Sequence, residues 1–167
     1  FEIQSPSFTP AACEGGSSQF EEEYFGSKVY LTQSWQLYAE AMVSSLERIY
    51  TIAPSFRAEK SRTTKHLTEF WTLNPEIAFI EHEESLKIQE ASVKYVVKYV
   101  LEHGNEELTL LERDLSDLRA VVDKPFTHYE YGDAIAELKK RGSDIEYGHD
   151  LGADDEELLT KDSDVPV

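Results

Sequence analysis

The sequence predicts an α+β fold in which antiparallel strands come first and helices follow. The first half contains strand-like segments rich in Tyr, Phe and Val, and the second half has apolar residues at helical spacing. With 167 residues, of which 40% are hydrophobic, the chain is long enough for about one domain with a buried core. A formal net charge of −17 argues against non-specific binding of nucleic acid, which requires a basic surface.

The first half predicts two hairpins with a helix between them. A Gly-Ser pair at 26–27 separates the strands of the first hairpin, and a polar, basic loop separates those of the second. A serine directly before the helical apolar pattern is a typical helix start. The predicted elements are strands 20–25 and 28–32, a helix of about 12 residues capped by Ser34, and strands 48–57 and 66–77.

The second half predicts mainly helices. Gly104 separates the first two of them, because glycine commonly ends a helix. The acidic end, residues 144–167, contributes −8 of the net charge and is expected to be irregular, with one turn at 154–159. The other predicted elements are a helix over 83–103, a helix from 105 to about 121, a short strand near 126–129 and a helix over 132–141.

Cysteine content and hydropathy indicate the cellular setting. Cys13 is the only cysteine, so a disulfide framework and a cysteine-based metal site are excluded. No uncharged apolar run approaches the roughly 18 residues that a membrane span needs, and the N-terminus does not have the pattern of a secretory signal. We therefore expect a reducing, cytoplasmic setting and no membrane association.

A local basic patch is the first functional signal in this acidic chain. Four of the sixteen basic residues lie within 57–65, where Glu59 is the only acid. The guanidinium of Arg57 suits a phosphate, and Glu59, two residues on, shares its face and could accept from the amino group of adenine. Phe70 could stack on a base beside His66, which could reach a terminal phosphate. The alternative is a solvated basic hairpin tip.

The order of these residues resembles motif 2 of the class II aminoacyl-tRNA synthetases. That motif reads here as Phe56-Arg57-Ala58-Glu59, a basic loop, His66 and Phe70. Three further segments match in register. They are Glu2-Ile3-Gln4-Ser5-Pro6, similar to the end of motif 1; Glu14-Gly15-Gly16, similar to the loop that covers the substrate in the aspartyl/asparaginyl branch; and Thr32-Gln33-Ser34-Trp35-Gln36-Leu37-Tyr38, similar to that branch's amino-acid-binding segment.

One position separates the two members of this branch. Aspartyl enzymes carry Gln-x-x-Gln-Leu-x-Lys, whose lysine pairs with the side-chain carboxylate of aspartate, whereas this chain has Ala39 at that position. Glu40 follows, and a carboxylate there would accept from the amide of asparagine and repel aspartate. Glu40 could also be a plain surface residue of the helix. Because this lysine is missing, the chain is identified as a member of the asparaginyl group.

The resemblance implies a fold, a reaction and a set of roles. The fold is the class II antiparallel sheet flanked by helices, and the reaction is ATP-dependent activation of asparagine followed by transfer to tRNA(Asn), with Mg²⁺ at the phosphates. The implied roles are Arg57 for the α-phosphate and the substrate carboxylate, Glu59 and Phe70 for adenine, His66 for the γ-phosphate, Gln33, Gln36 and Glu40 for the amino acid, Glu14 for closing over it, and Ser61, Arg62 and Thr63 for the tRNA acceptor end.

The chain departs from the family pattern at both ends. The resemblance implies that residues 1–167 are part of a catalytic domain, from the end of motif 1 through motif 2 and the following helices. Motif 3, the usual magnesium ligands, the motif 1 helix that builds the homodimer and the anticodon-binding barrel are not matched. The sheet is therefore expected to be incomplete, and no metal ligand is assigned in this chain. We expect little or no activity from it alone.

Two other functions remain open on the sequence. The first is an asparagine synthetase of the same fold, which uses aspartate, ammonia and ATP. Ala39 argues against it, because the side-chain carboxylate of aspartate should need a cation in the binding pocket and alanine provides none. The second is a non-catalytic binding module that acts through the acidic end. Further acids and histidines are interpreted as structural, namely Glu81, Glu83, Glu84, the acids of 150–157, His82, His103, His128 and His149.

Overall fold

The structure, a computed structural model, describes residues 1–10, 19–60, 66–163 and 165–167. It forms two compact units, Phe1–Glu81 and His82–Val167. Among the described residues, the first unit contains the strands and one helix and the second is helical, which confirms the α+β prediction. The elements are β1 Phe8–Thr9, β2 Glu21–Tyr24, β3 Ser27–Leu31, α1 Gln36–Leu46, β4 Arg48–Phe56, β5 Glu69–Ile77, α2 His82–His103, α3 Asn105–Leu110, α4 Ser116–Asp123, α5 Tyr131–Lys140 and α6 Ala153–Thr160.

The first predicted hairpin is confirmed and belongs to a three-stranded antiparallel sheet in the order β1-β3-β2. Tyr24 pairs with Ser27, so the loop between β2 and β3 has only two residues, Phe25 and Gly26. Both have positive φ, 48° and 79°. Two-residue hairpin loops favour this geometry because its twist matches that of the strands. The turn therefore lies one residue earlier than the sequence predicted.

The second predicted hairpin, β4–β5, is the longest antiparallel pairing of the first unit. Its register runs from Arg48 opposite Ile77 to Phe56 opposite Glu69. Buried and more exposed residues alternate along β4, as expected for a strand that covers a core with one face. Helix α1 packs on that face, where Trp35, Ala39 and Ile49 form a small buried core.

The ends of α1 place it against the following strand. Trp35 occupies the cap position, and Ser34 Oγ accepts a hydrogen bond from the Gln36 N–H at 3.1 Å. At the other end, Glu47 has φ 60° and donates its N–H to Val43 O at 2.8 Å. This left-handed residue reverses the chain directly into β4, so helix and strand pack together without a long loop.

Two predictions for the second unit were wrong. The single helix expected from 105 to 121 is broken into α3 and α4, because Glu112 adopts φ 51°. Asp114 Oδ1 then accepts from the Ser116 N–H at 2.9 Å and starts the new helix. The strand expected near 126–129 is absent from this described segment. Instead, the Phe126 N–H donates to Glu90 Oε1 of α2 at 3.3 Å.

The acidic end is more ordered than the sequence predicted, because α6 docks on α5. Leu159 of α6 is buried with Ala134 and Leu138 of α5. The Arg141 guanidinium donates to the carbonyls of Leu158 and Leu159 at 2.9 and 3.1 Å and to Glu137 Oε1 at 2.9 Å. A cation that binds the last carbonyls of a helix stabilises its C-terminus. The sequence predicted one turn at 154–159, whereas the structure has a packed helix over Ala153–Thr160.

Replacing Leu138 tests this core. We expect Leu138→Ala to destabilise the α5–α6 pair by about 2–5 kcal/mol, because it leaves a cavity where the side chain is fully buried. Amide hydrogen exchange along both helices would report the loss. Leu110→Ala is the matched control, since Leu110 is highly exposed, and its effect should stay within about 0.5 kcal/mol. Equal exchange in the two variants would contradict the packing described here.

Candidate functional site

Arg57 and Phe70 lie together where the β4–β5 hairpin ends. Arg57 directly follows β4, and its N–H donates to Thr68 O at 2.9 Å, so the two strands stay paired beyond their formal end. The Arg57 Cζ atom lies 5.8 Å from the centroid of the Phe70 ring. This distance is within the range of a cation–π contact, which orients the guanidinium over the ring face. The structure therefore joins two of the residues that the sequence selected.

The Arg57 guanidinium is only partly satisfied by the protein. Its side chain is half-buried, and Nε is buried without a hydrogen-bond partner among the described residues. Arginine remains charged at every physiological pH and presents its donors in a planar fork. A buried donor that lacks an acceptor is unfavourable. An anionic group bound beside Phe70 would remove that penalty.

Other residues predicted for this end of the hairpin are less constrained. Glu59 and His66 are exposed and flank the segment 61–65. Their predicted contacts with a nucleotide stay predictions. Glu14, Ser61, Arg62 and Thr63 lie outside the described residues, and so does Cys13.

The segment predicted to bind the amino acid divides into a buried and an exposed part. Gln33 is 2% exposed, whereas Gln36 and Glu40 are exposed on α1. The Gln36 Nε2 group donates to Glu40 Oε1 at 3.4 Å, which holds the two side chains together one turn apart. Ala39 is completely buried against Trp35 and Ile49. The position at which aspartyl enzymes carry a lysine is thus part of the core in this chain.

Glu76 is a candidate residue that the sequence reasoning missed. It lies in β5 opposite Ile49. Partial burial raises the pKa of Glu76, and the negative charge of Glu40 raises it further. The two carboxylates are therefore close enough to repel each other. Strand alternation could have identified Glu76, because it is six residues from Phe70 and so shares its face.

Polar side chains connect these two ends of the β4–β5 face. Thr72 Oγ1 lies 3.4 Å from Ser55 Oγ and accepts from Asn74 Nδ2 at 3.2 Å. Thr51 Oγ1 and Trp35 Nε1 are buried without a partner among the described residues. Both residues line a cavity of about 10 Å³, which fits about one water molecule.

We refer to the face of β5 from Phe70 to Glu76 as the polar strip. A rise of about 3.3 Å per residue makes it about 20 Å long. Arg57 lies at one end, and the carboxylates of Glu76 and Glu40 lie at the other. This arrangement can bind an anion at the first end and an amine or amide donor at the second.

The structure assigns no metal to these side chains. In the described part of the chain, no three His, Cys, Asp or Glu residues are grouped so that they could hold an ion. Glu83 and Glu84 lie in the first turn of α2, where the helix dipole favours negative charge. No helix in the described ranges is sufficiently long and apolar to cross a bilayer.

The chain matches a known family over almost its whole length. The sequence profile of the class II tRNA synthetases (D, K and N) matches residues 1–165. Among curated proteins, the chain is 44% identical over 165 residues to an asparagine–tRNA ligase of Desulforamulus reducens, covering 99% of this chain and 38% of the relative. It is 43% identical over 167 residues to an asparagine–tRNA ligase of Thermoplasma acidophilum, covering 100% of this chain and 39% of the relative.

A solved structure gives the same result. The chain superimposes with a TM-score of 0.91 and 41% identity on the asparaginyl-tRNA synthetase of Pyrococcus horikoshii complexed with asparaginyl-adenylate, covering 98% of this chain and 38% of that one. The chain therefore spans about 38% of the length of these relatives. The family predicted from the sequence motifs is confirmed.

The raised pKa of Glu76 predicts a pH dependence of stability. A carboxyl group whose pKa is raised in the folded state contributes stability that is fully present below its ordinary value of 4.5 and is lost as the pH rises through the folded pKa. We therefore expect Glu76→Gln to raise the Tm near pH 7, and this gain should shrink as the pH falls towards 4. Thermal unfolding followed over that pH range measures the difference.

Glu22→Gln is the matched control, because Glu22 is exposed and has no ion pair among the described residues. This substitution should leave the dependence of the Tm on pH close to that of the unsubstituted chain. Glu40→Gln should change the profile in the same direction as Glu76→Gln but less, because it removes only the repulsion. If Glu76→Gln raised the Tm by the same amount at every pH, the raised pKa of Glu76 would be contradicted.

Proposed function

Because the chain belongs to the class II tRNA synthetases of the D, K and N group, we propose that it forms the nucleotide- and amino-acid-binding part of an asparagine–tRNA ligase. The observation that carries the proposal is the Arg57 guanidinium, whose buried Nε lacks a partner in the described structure while its Cζ lies over the Phe70 ring. An aromatic ring beside a fixed cation suits a base and the phosphate attached to it.

In the proposed reaction, the carboxylate of asparagine attacks the α-phosphorus of ATP and pyrophosphate leaves. The acyl group then passes from the adenylate to the terminal ribose of tRNA(Asn). Neither step needs a protein nucleophile, so catalysis depends on positioning and charge stabilisation. Arg57 reduces the repulsion between the two anionic reactants, because its planar fork can donate to carboxylate and phosphate oxygens together. Glu59 binds the adenine amine, and His66 binds the γ-phosphate.

The choice of asparagine follows from the carboxylate end of the polar strip. Glu40 accepts an N–H from the side-chain amide of asparagine and repels the carboxylate of aspartate. The nearby Glu76, whose pKa is raised by burial and by Glu40, adds to the negative potential. Ala39 provides no compensating cation and is itself buried. This absence also disfavours an asparagine synthetase, which would have to bind aspartate.

The remaining partners belong to the same proposal. Gln33 and Gln36 hold the α-amino group, Glu14 closes over the amino acid, and the tRNA acceptor end is contacted by Ser61, Arg62 and Thr63. Mg²⁺ would neutralise the phosphates of ATP, and no residue of this chain is assigned to it. The complete protein would act in the cytoplasm as a homodimer. Support for these assignments comes from the matched motifs and from relatives that are asparagine–tRNA ligases.

Ligand-induced stabilisation tests the proposed site. A ligand that binds only the folded chain raises the Tm according to its concentration and affinity. We expect ATP–Mg²⁺ with asparagine to raise the Tm more than ATP–Mg²⁺ with aspartate. Arg57→Ala should weaken nucleotide binding by about 10- to 100-fold, because a hydrogen bond to a charged group contributes about 1.5–3 kcal/mol. Arg57→Lys should retain only part of the nucleotide affinity, since lysine keeps the charge but lacks the planar fork of donors.

Arg119→Ala is the control for lost charge, because Arg119 is exposed on α4. It should leave the ligand-induced shift unchanged. The proposal fails if neither amino acid shifts the Tm of this chain and of the full-length protein, or if Arg57→Ala binds nucleotide as well as the unchanged chain does.

Glu40→Gln tests the amino-acid preference separately. The substitution keeps the size of the side chain and removes its charge, so aspartate is no longer repelled. We expect the ratio of asparagine to aspartate affinity to fall by about 10-fold, mainly through tighter aspartate binding. Competition of each amino acid for the ATP-loaded protein measures this ratio. An unchanged ratio would make Glu40 a plain surface residue of α1.

A further inference from the structure

The three-stranded sheet has an apolar groove of about 660 Å³ on one face. The register explains its lining, since Phe8 lies opposite Leu31 and Glu22 lies opposite Val29, so that all four share a face with Tyr24. Phe8 and Tyr24 are 56% and 61% exposed. The groove is thus open to solvent, and none of its residues belongs to the polar strip.

Within the described ranges, the edge of the sheet beside this groove has no further strand paired to it. Strand β2 is the last strand of the sheet, and all four of its residues are exposed. Phe20 O accepts from the Leu31 N–H at 3.0 Å. Hydrogen-bonded and non-hydrogen-bonded residue pairs alternate along an antiparallel ladder, so this bond determines which residues of β2 bond to β3. The main-chain groups of Glu21 and Glu23 therefore point away from β3. An edge of this kind can accept an additional strand.

The charge of β2 restricts what can bind there. Three glutamates follow one another, and only Glu21 has an ion pair among the described residues, with Lys28 Nζ at 2.8 Å. Glu22 and Glu23 both line the groove. A second copy of the chain would place its own glutamates against these, and like charges on paired strands are destabilising. A basic strand would instead find complementary charges.

The turn of the hairpin adds an exposed aromatic residue. Phe25 is 92% exposed and adopts a positive φ of 48°, a conformation that hairpins normally give to Asn or Gly. Its ring contacts Tyr24 edge to face, with 4.7 Å between centroids. The two rings extend the apolar surface to the tip of the hairpin. Neither local backbone preference nor core packing explains a phenylalanine there, whereas an apolar binding surface does.

We propose that the β2 edge and its groove bind an extended, basic peptide segment of a protein partner. The segment pairs with the outward main-chain groups of Glu21 and Glu23 and thus adds a strand to the sheet. Its apolar residues lie on the groove face beside Tyr24, and its alternate lysines or arginines lie on the opposite face, near Glu23. This interaction is independent of the proposed ligase function.

A synthetic peptide tests this surface on the full chain. The probe is a capped, fluorescently labelled peptide of about eight residues that alternates lysine and valine, a typical strand length. We expect its fluorescence anisotropy to rise on binding and the affinity to fall with salt. Glu23→Gln should weaken binding by about 1.5- to 5-fold, as expected for an exposed ion pair, and Glu22→Gln, on the face that receives the valines, should weaken it less. Glu106→Gln, in the exposed first turn of α3, should leave it unchanged.

Two altered peptides separate charge from strand pairing. A peptide with glutamate in place of lysine should not bind, and one with a central proline should bind weakly because it cannot complete the ladder. Absence of binding by the lysine peptide overturns the proposal, and so does equal binding of the glutamate or proline peptide. Self-association of the chain that is lost on Glu23→Pro, measured by sedimentation, would identify a second copy as the occupant and would also overturn it.

Discussion

The packing of Ile49 against Trp35 and Ala39 holds the register of the β4–β5 hairpin, and the candidate site depends on that register. A slip of one residue would turn every side chain of a strand to the opposite face. Phe70 and Glu76 would then leave the face that α1 covers. The hydrogen bond from the Arg57 N–H to Thr68 O continues the same register to the end of the hairpin. A small apolar core thus determines where the polar residues lie.

The electrostatics of the site are local rather than global. A chain with a net charge of −17 repels ATP at long range, yet Arg57 presents a fixed cation beside an aromatic ring. At physiological salt, charges on the surface are screened beyond about 8 Å, so the distant acids contribute little at Arg57. The carboxylate of Glu40 acts on that of Glu76 because the two are close and Glu76 is partly buried. Opposite potentials can therefore persist at the two ends of one hairpin.

The sequence predicted those parts of the fold that follow from local periodicity. Both hairpins, α1 and α2 were predicted because their apolar residues alternate or recur at helical spacing. The break before α4 was missed, since Leu110 and Leu111 continue the apolar pattern and only the backbone of Glu112 interrupts it. The docking of α6 was missed because acidic residues dominate the composition around Leu159. Arg57 and Phe70 were both selected from the sequence as ATP-binding residues, whereas Glu76 was missed although strand alternation puts it on the face of Phe70.

Under the proposed ligase function, position 39 links folding to the choice of amino acid. A lysine there would bury a charge in the core with Trp35 and Ile49, which is strongly unfavourable unless the charge is paired. Ile49 lies opposite Glu76, whose carboxylate is already repelled by Glu40. A new lysine would pair with these acids before it could bind a substrate carboxylate. Conversion of the proposed asparagine site to aspartate therefore requires removal of the acids together with space for the lysine, and a single substitution at Ala39 would not achieve it.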